Sequence, residues 1–184
     1  MPSTFGTFGT PVRTIRASSH QSGRCLATPC HTQDSICYYV TDSSKKSQSG
    51  VVFTGDTLFT AGCGRFFEGV GEEMHAALTY LGTLPHDTVV YNGHEYTASS
   101  LKFALSVDPN NLDLARLAKI VSENTVTTGL TTIGDEKSWN PFMRLNSDII
   151  KCANIRTAIA IIFYANVTAG PSRMQTPTLL QASL

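Results

Sequence analysis

The sequence predicts an α/β layered fold, and three observations carry that reading. Short β-rich runs end in glycine or polar turn residues, the stretches between them repeat apolar residues at helical spacing, and the two kinds of segment alternate along the chain. A length of 184 residues suits one domain or one and a half. A hydrophobic share of 41%, with 9 Phe and 6 Tyr, is enough for a sizeable core and too much for a disordered tail.

Residues 1–33 hold Arg13, Arg16 and Arg24 but no acidic residue, and are rich in Ser, Thr and Gly. Mitochondrial transit segments share that composition, yet Phe5-Gly6-Thr7-Phe8-Gly9-Thr10-Pro11 breaks the amphipathic helix such a segment needs. Residues 1–24 are therefore expected to form an unstructured leader, and the chain is expected in the cytoplasm, with mitochondria as the alternative. Strands are predicted at Ser35–Val40, Val51–Thr54 and Thr88–Tyr91. Glu72–Leu84 places Met74, Ala77, Leu78 and Leu81 on one helical face. A second helix is expected over Thr97–Ser106, and a third over Asn111–Asn124, entered through Asp108-Pro109-Asn110. After Arg144 the charge thins: Asp148 is the last acidic residue, and only Lys151, Arg156 and Arg173 follow it. Ala158–Tyr164 reads equally as a strand or a short buried helix, and Gly170–Leu184 reads as a loose tail.

Composition excludes several classes. With 14 basic and 14 acidic residues the chain has no phosphate-neutralising surface, so nucleic acid is not an expected partner. Ser and Thr, 40 residues together, take much of the place of charge. The longest strongly apolar stretch, Ala158–Ala165, is far below the roughly 20 residues that cross a bilayer, so no membrane partner is expected. The 5 cysteines (25, 30, 37, 63 and 152) show no C-x-x-C spacing and are read as reduced thiols of an intracellular protein.

Three segments could carry chemistry: Thr28-Pro29-Cys30-His31-Thr32, Gly55-Asp56-Thr57-Leu58-Phe59 and Gly93-His94-Glu95-Tyr96. Each sets a His or Asp where a predicted strand meets a turn, which is where side chains converge in layered α/β proteins. Two imidazoles and a carboxylate form a partial ligand set for a borderline metal such as zinc. Singly, each has an ordinary reading, as a hydrogen-bonded histidine or a turn-forming aspartate.

Together the segments resemble the metallo-β-lactamase-fold hydrolases, and more narrowly the glyoxalase II (hydroxyacylglutathione hydrolase) family. The resemblance is reinforced by Ala61-Gly62-Cys63-Gly64-Arg65-Phe66-Phe67-Glu68-Gly69, by Leu101-Lys102-Phe103-Ala104 and by Asn140-Pro141-Phe142-Met143-Arg144, and it runs from Cys25 to Leu145. It implies a partial metallo-β-lactamase fold, about the C-terminal half of an αββα sandwich, plus the start of a helical extension. It also implies a site with two divalent metal ions, zinc with iron or manganese as alternatives, in which His31 ligates one ion, His94 the other, and the catalytic Asp56 bridges them. Arg65, Phe67 and Tyr96 would line the site of a glutathione thioester, S-D-lactoylglutathione being the family substrate. Phe67 departs from the family tyrosine, and Ser100 stands where an asparagine is common. His20, His75 and His86 fall outside the ligand segments, and the last two are read as surface residues.

The family segment T-H-x-H-x-D-H is absent. Histidines stand at 20, 31, 75, 86 and 94, so no H-x-H exists in this sequence. The chain is accordingly read as an amino-terminally shortened family member with divergent ends: 1–24 leader, 25–108 partial metallo-hydrolase domain, 109–146 helical glutathione-site extension, 147–184 divergent tail. Its sheet is expected to expose an edge through which the chain self-associates. Two functions are carried forward: a hydroxyacylglutathione hydrolase, and a catalytically inactive fragment that acts by association with another chain. A persulfide dioxygenase with one iron is a third reading, disfavoured by F-F-E-G and N-P-F-M-R.

Overall fold

A computed structural model describes residues 11–16, 20–45 and 48–152. The strands are β1 Pro11–Arg16, β2 Gln21–Ala27, β3 Ile36–Asp42, β4 Val51–Gly55, β5 Leu58–Phe59, β6 Gly62–Cys63 and β7 Val89–Asn92. The helices are α1 Gly71–Leu81, α2 Thr97–Val107, α3 Leu112–Glu123, α4 Ile133–Trp139 and α5 Asp148–Cys152, with a 3-10 turn at Pro141–Met143. A five-stranded sheet runs in the order β1-β2-β3-β4-β7, and β5 pairs with β6 in a small hairpin. Pairing is antiparallel from β1 to β4 and parallel between β4 and β7. A parallel pair needs a crossover, and β5, β6 and α1 supply it.

Alternation along the strands sorts side chains onto two faces. Cys37, Tyr39, Val52, Thr54 and Val90 point inward, and α1 lays Met74, Ala77, Leu78 and Leu81 on them, with Leu26, Leu84 and Ile133 closing the cluster. On the other face Tyr38, Phe53 and Tyr91 stand in register across three strands, 46%, 45% and 38% exposed. Phe53 and Tyr91 stack with ring centroids 5.3 Å apart. A second core gathers Leu101, Ala104, Leu114, Leu117 and Trp139 of α2, α3 and α4 around Ala61 in the β5–β6 turn.

Several expectations need correction. The stretch read as an unstructured leader over 1–24 contains β1 and the start of β2, which pairs residue for residue with β3 from Gln21–Asp42 to Ala27–Ile36. Its polar, glycine-containing text hid this, because the strand is held by its backbone ladder more than by alternating apolar side chains. Of the two sheet edges, β7 is covered: Val90 N–H donates to the Thr131 carbonyl, the Val90 carbonyl accepts from Gly129 N–H, and Asn92 N–H donates to the Thr128 hydroxyl, whereas among the described residues β1 pairs with β2 alone. Apolar side chains are exposed on the Tyr38–Phe53–Tyr91 face. Helix α1 ends at Leu81 rather than Leu84, with Gly82 at its end and the Thr83 hydroxyl donating to the Tyr80 carbonyl. Within the segment read as a divergent tail, α5 begins at Asp148 and buries Ile150. Ala158–Tyr164 and Gly170–Leu184 lie outside the described residues. Among the described residues no helix is long and apolar enough to cross a membrane.

Leu78→Ala should lower stability by about 2–5 kcal/mol, because it empties the contact between α1 and the sheet. Leu112→Ala, at a side chain 87% exposed, should stay within about 0.5 kcal/mol. Urea unfolding of the two variants checks the assignment of the core.

Candidate active site

The site is built where the parallel strands β4 and β7 end. Gly55 closes β4 at φ 51°, a left-handed conformation that glycine adopts without steric cost. Gly93, just past β7, donates its N–H to the Gly55 carbonyl at 2.9 Å. A Cβ on Gly93 would lie 2.6 Å from Asp56 Oδ1, so only glycine lets the two strand ends come this close. This contact sets Asp56 beside His94. The third segment arrives from β2 through a tight loop in which Thr28 N–H donates to Ser35 O and the Thr28 hydroxyl meets that of Thr57 at 3.1 Å.

Asp56 sits at the centre of the site. Its Oδ2 lies 3.3 Å from His31 Nε2 and 3.4 Å from His94 Nε2. His31 Nδ1 lies 2.9 Å from the Arg65 carbonyl, which only accepts, so Nδ1 carries the proton. In the neutral ring the Nε2 lone pair therefore faces a carboxylate oxygen. Two acceptors at that distance need a cation between them, a proton or a metal ion, and Nδ1 bonded to a carbonyl is the arrangement that orients a metal-binding histidine. The donor chemistry fits a divalent ion on either side of Asp56. It fits incompletely, because among the described residues no group of three or more His, Cys, Asp or Glu has the geometry to hold one.

Aromatic rings flank both imidazoles. Phe67 packs on His31 at 4.9 Å between centroids, with the Arg65 guanidinium 5.9 Å from the Phe67 ring. Tyr96 stacks on His94 at 4.9 Å, and Phe59 meets Tyr96 edge-on at 5.4 Å. All six residues singled out in the sequence thus gather at one end of the sheet, Arg65 and Phe67 beside His31, and Tyr96 beside His94. Ser100 does not join them: it is buried in α2, and its hydroxyl abuts Gly62. His75 and His86 are exposed, and His86 Nε2 lies 3.2 Å from Lys137 Nζ. Cys25, Cys30, Cys37 and Cys63 are free, and burial pushes the Cys30, Cys37 and Cys63 thiols up, away from the reactive thiolate.

Supporting residues were not legible in the sequence. Burial pulls the Glu95 carboxyl up, but the N–H groups of Thr127 and Thr128 and the Thr127 hydroxyl outweigh it and hold it low, tying the His94 turn to the segment that covers β7. Glu136 is fully buried in α4. Burial pushes its carboxyl up to about 7, against the lowering influence of Ala61 N–H, Asn140 and Trp139. The only signal for these residues was the text of G-H-E-Y and N-P-F-M-R, which marks the segments but not their contacts. Arg144 of the latter is spent on the buried Asp108 carboxylate, at 2.7 Å.

Known proteins resemble this chain in sequence and in fold. A family model described as hydroxyacylglutathione hydrolase C-terminus matches residues 95–167. A Schizosaccharomyces pombe protein named a probable hydroxyacylglutathione hydrolase is 53% identical over 129 residues, which are 70% of this chain and 48% of that protein. The chain belongs to the hydroxyacylglutathione hydrolase family. A second relative in that family, the cytoplasmic isozyme of Saccharomyces cerevisiae, is 49% identical over 138 residues, 70% of this chain and 50% of its own length. The chain spans about half the length of the curated hydroxyacylglutathione hydrolases it matches. A metallo-beta-lactamase crystal structure from Staphylococcus aureus shares the fold at a TM-score of 0.54 and 19% identity, covering 95% of this chain and 46% of that one. The family match also runs to residue 167, past Leu145, where the sequence resemblance was read as ending.

Burial of the Glu136 carboxyl makes the stability of the fold depend on pH. A carboxyl higher in the folded state than its ordinary 4.5 contributes stability that is fully present below that value and lost as pH rises through about 7. The loss should be on the order of 3 kcal/mol, from about 1.4 kcal/mol per pH unit. Urea midpoints measured from acid to neutral pH should fall accordingly, and Glu136→Gln should flatten that limb.

Proposed function

We propose that the chain supplies the Asp56 side of a two-metal thioester hydrolase site acting on S-(2-hydroxyacyl)glutathione, such as S-D-lactoylglutathione, to release glutathione and a 2-hydroxy acid. The observation that carries this reading is the convergence of two imidazole Nε2 atoms on a single oxygen of Asp56. His31 would hold one divalent ion, His94 the other, and Asp56 would bridge them. Bound divalent ions lower the pKa of water and draw charge from a carbonyl oxygen.

The chain's own residues then act as follows. The Arg65 carbonyl keeps the His31 proton on Nδ1 and its Nε2 free for a cation. The Arg65 guanidinium, on the exposed side of the site, is suited to a glutathione carboxylate through charge-assisted hydrogen bonds. Phe67 packs on the His31 ring and Tyr96 on the His94 ring; Phe67 does so without offering the hydroxyl that a tyrosine would. The name of the yeast relative supports a cytoplasmic setting.

A second reading is favoured by two observations. No H-x-H occurs in this sequence, and a catalytic zinc takes about three protein ligands of its own, so two ions need donors beyond these three residues. The exposed Tyr38–Phe53–Tyr91 row also offers a surface on which another chain could pack. On that reading the chain is inactive alone and works in association.

Zinc titration and hydrolysis of S-D-lactoylglutathione separate the readings. The hydrolase reading expects zinc binding and turnover by the chain itself, with Asp56→Asn weakening zinc by more than the roughly 10- to 100-fold typical of an outer partner. Zinc binding without turnover supports the associating half-site. Absence of any zinc binding that depends on His31, Asp56 and His94 sinks the metal site in both.

A further inference from the structure

We propose that Glu136 is a positioning residue of the site: from α4 it sets the Phe59–Arg65 segment that orients both His31 and His94 toward Asp56. This rests on the hydrolase reading only in taking these two imidazoles as the functional pair.

The contacts run in one unbroken chain. Glu136 Oε2 accepts the Ala61 N–H at 2.8 Å and the Asn140 amide at 3.0 Å. Its Oε1 accepts Trp139 Nε1–H at 3.0 Å and the Thr131 hydroxyl at 3.4 Å. Every partner is a donor, so a carboxylate suits all four, whereas an amide would turn an N–H toward another N–H on one side or the other. Asn140 extends the grip by donating to the Phe59 carbonyl at 3.3 Å and the Gly62 carbonyl at 3.0 Å, the two ends of the β5–β6 turn.

That turn is strained. Ala61 sits at φ 56°, the one non-glycine residue with positive φ among the described residues. A side-chain-bearing residue persists there only when its surroundings over-determine it. Glu136 is the group that bonds its N–H, and Asn140 bonds the residues on either side.

Both imidazoles lie downstream of this turn. On the one hand Phe59 presents its ring edge to His94 at 6.1 Å and to Tyr96, which stacks on His94. On the other, β6 leads into Gly64, whose N–H donates to Thr57 O, and then to Arg65, whose carbonyl holds His31 Nδ1. Gly64 packs so tightly on the Asp56 carbonyl that no Cβ fits there. A shift of the turn therefore reaches His31 and His94 together while leaving the sheet in place.

The test reads the imidazole nitrogens of metal-free protein by NMR, which requires no turnover. Glu136→Gln is expected to shift the ring signals of both His31 and His94 and to remove the protected Nδ1–H signal of His31. Asn140→Ser keeps an oxygen that can cap Phe142 N–H but is too short to reach Phe59 and Gly62; it is expected to shift both rings as well, and it serves where Glu136→Gln fails to fold. Trp139→Phe removes a different bond to the same carboxylate and is expected to destabilise the fold while leaving both rings unchanged. Where zinc binds, its affinity should fall about tenfold or more in Glu136→Gln and Asn140→Ser. A folded Glu136→Gln or Asn140→Ser with unshifted His31 and His94 signals would overturn the proposal, as would equal shifts in Trp139→Phe. Because the rings are read without metal, a failure of the unsubstituted chain to bind zinc counts against the metal site and leaves the positioning role of Glu136 standing or falling on the ring signals.

Discussion

The hydrogen bond from Gly93 N–H to the Gly55 carbonyl closes the parallel pair β4–β7, and everything at the active end of the molecule hangs on that approach. A parallel ladder brings two strand ends to the same side of the sheet, so the residues that follow each strand become neighbours although 38 positions apart in the case of Asp56 and His94. Gly93 lacks the Cβ that would collide with Asp56, and Gly55 supplies the left-handed turn that ends β4. The third participant, His31, reaches the same point from an antiparallel hairpin through a short loop. The site is thus a consequence of sheet topology, one missing Cβ and one left-handed glycine.

Charge is arranged sparingly around this point. Asp56 faces two imidazoles, and desolvation pushes the nearby Cys30 and Cys63 thiols up, away from the thiolate. The remaining acids near the site are committed to backbone N–H groups: Glu95 to Thr127 and Thr128, Glu136 to Ala61. They hold loops. A carboxylate used in this way gains from each charge-assisted bond while paying a desolvation penalty, and the balance differs with burial: the exposed Glu95 is shifted down, the buried Glu136 up.

The two cores meet at the β5–β6 turn. One lies between α1 and the sheet, the other among α2, α3 and α4, and Ala61 belongs to the second while its neighbours Leu58 and Cys63 contact the first. Packing the helical extension is therefore not separate from shaping the site. Opposite α1 the sheet presents Tyr38, Phe53 and Tyr91 to solvent, an aromatic surface of a kind that globular proteins normally cover.

Much was legible in the sequence because it is local. Alternation in Ile36–Asp42 and Val51–Gly55, the apolar stripe of α1 and the polar entry to α3 are written in consecutive residues, and so are the glycines that precede Asp56 and His94; that Asn111 itself caps α3 is seen in the fold. His31, Asp56 and His94 could be named because each sits in a short motif at a strand end, and Arg65, Phe67 and Tyr96 because the text around them resembles the family. Strands β1 and β2 escaped notice since their text is polar and their order comes from pairing with β3, a partner that no local pattern reveals. The sequence by itself determined which segments would meet at the ends of β4 and β7. Only the tertiary structure decided how they are held, because a buried carboxylate such as Glu136 draws its role from donors that include the Ala61 N–H 75 residues away, and that is a property of the folded chain.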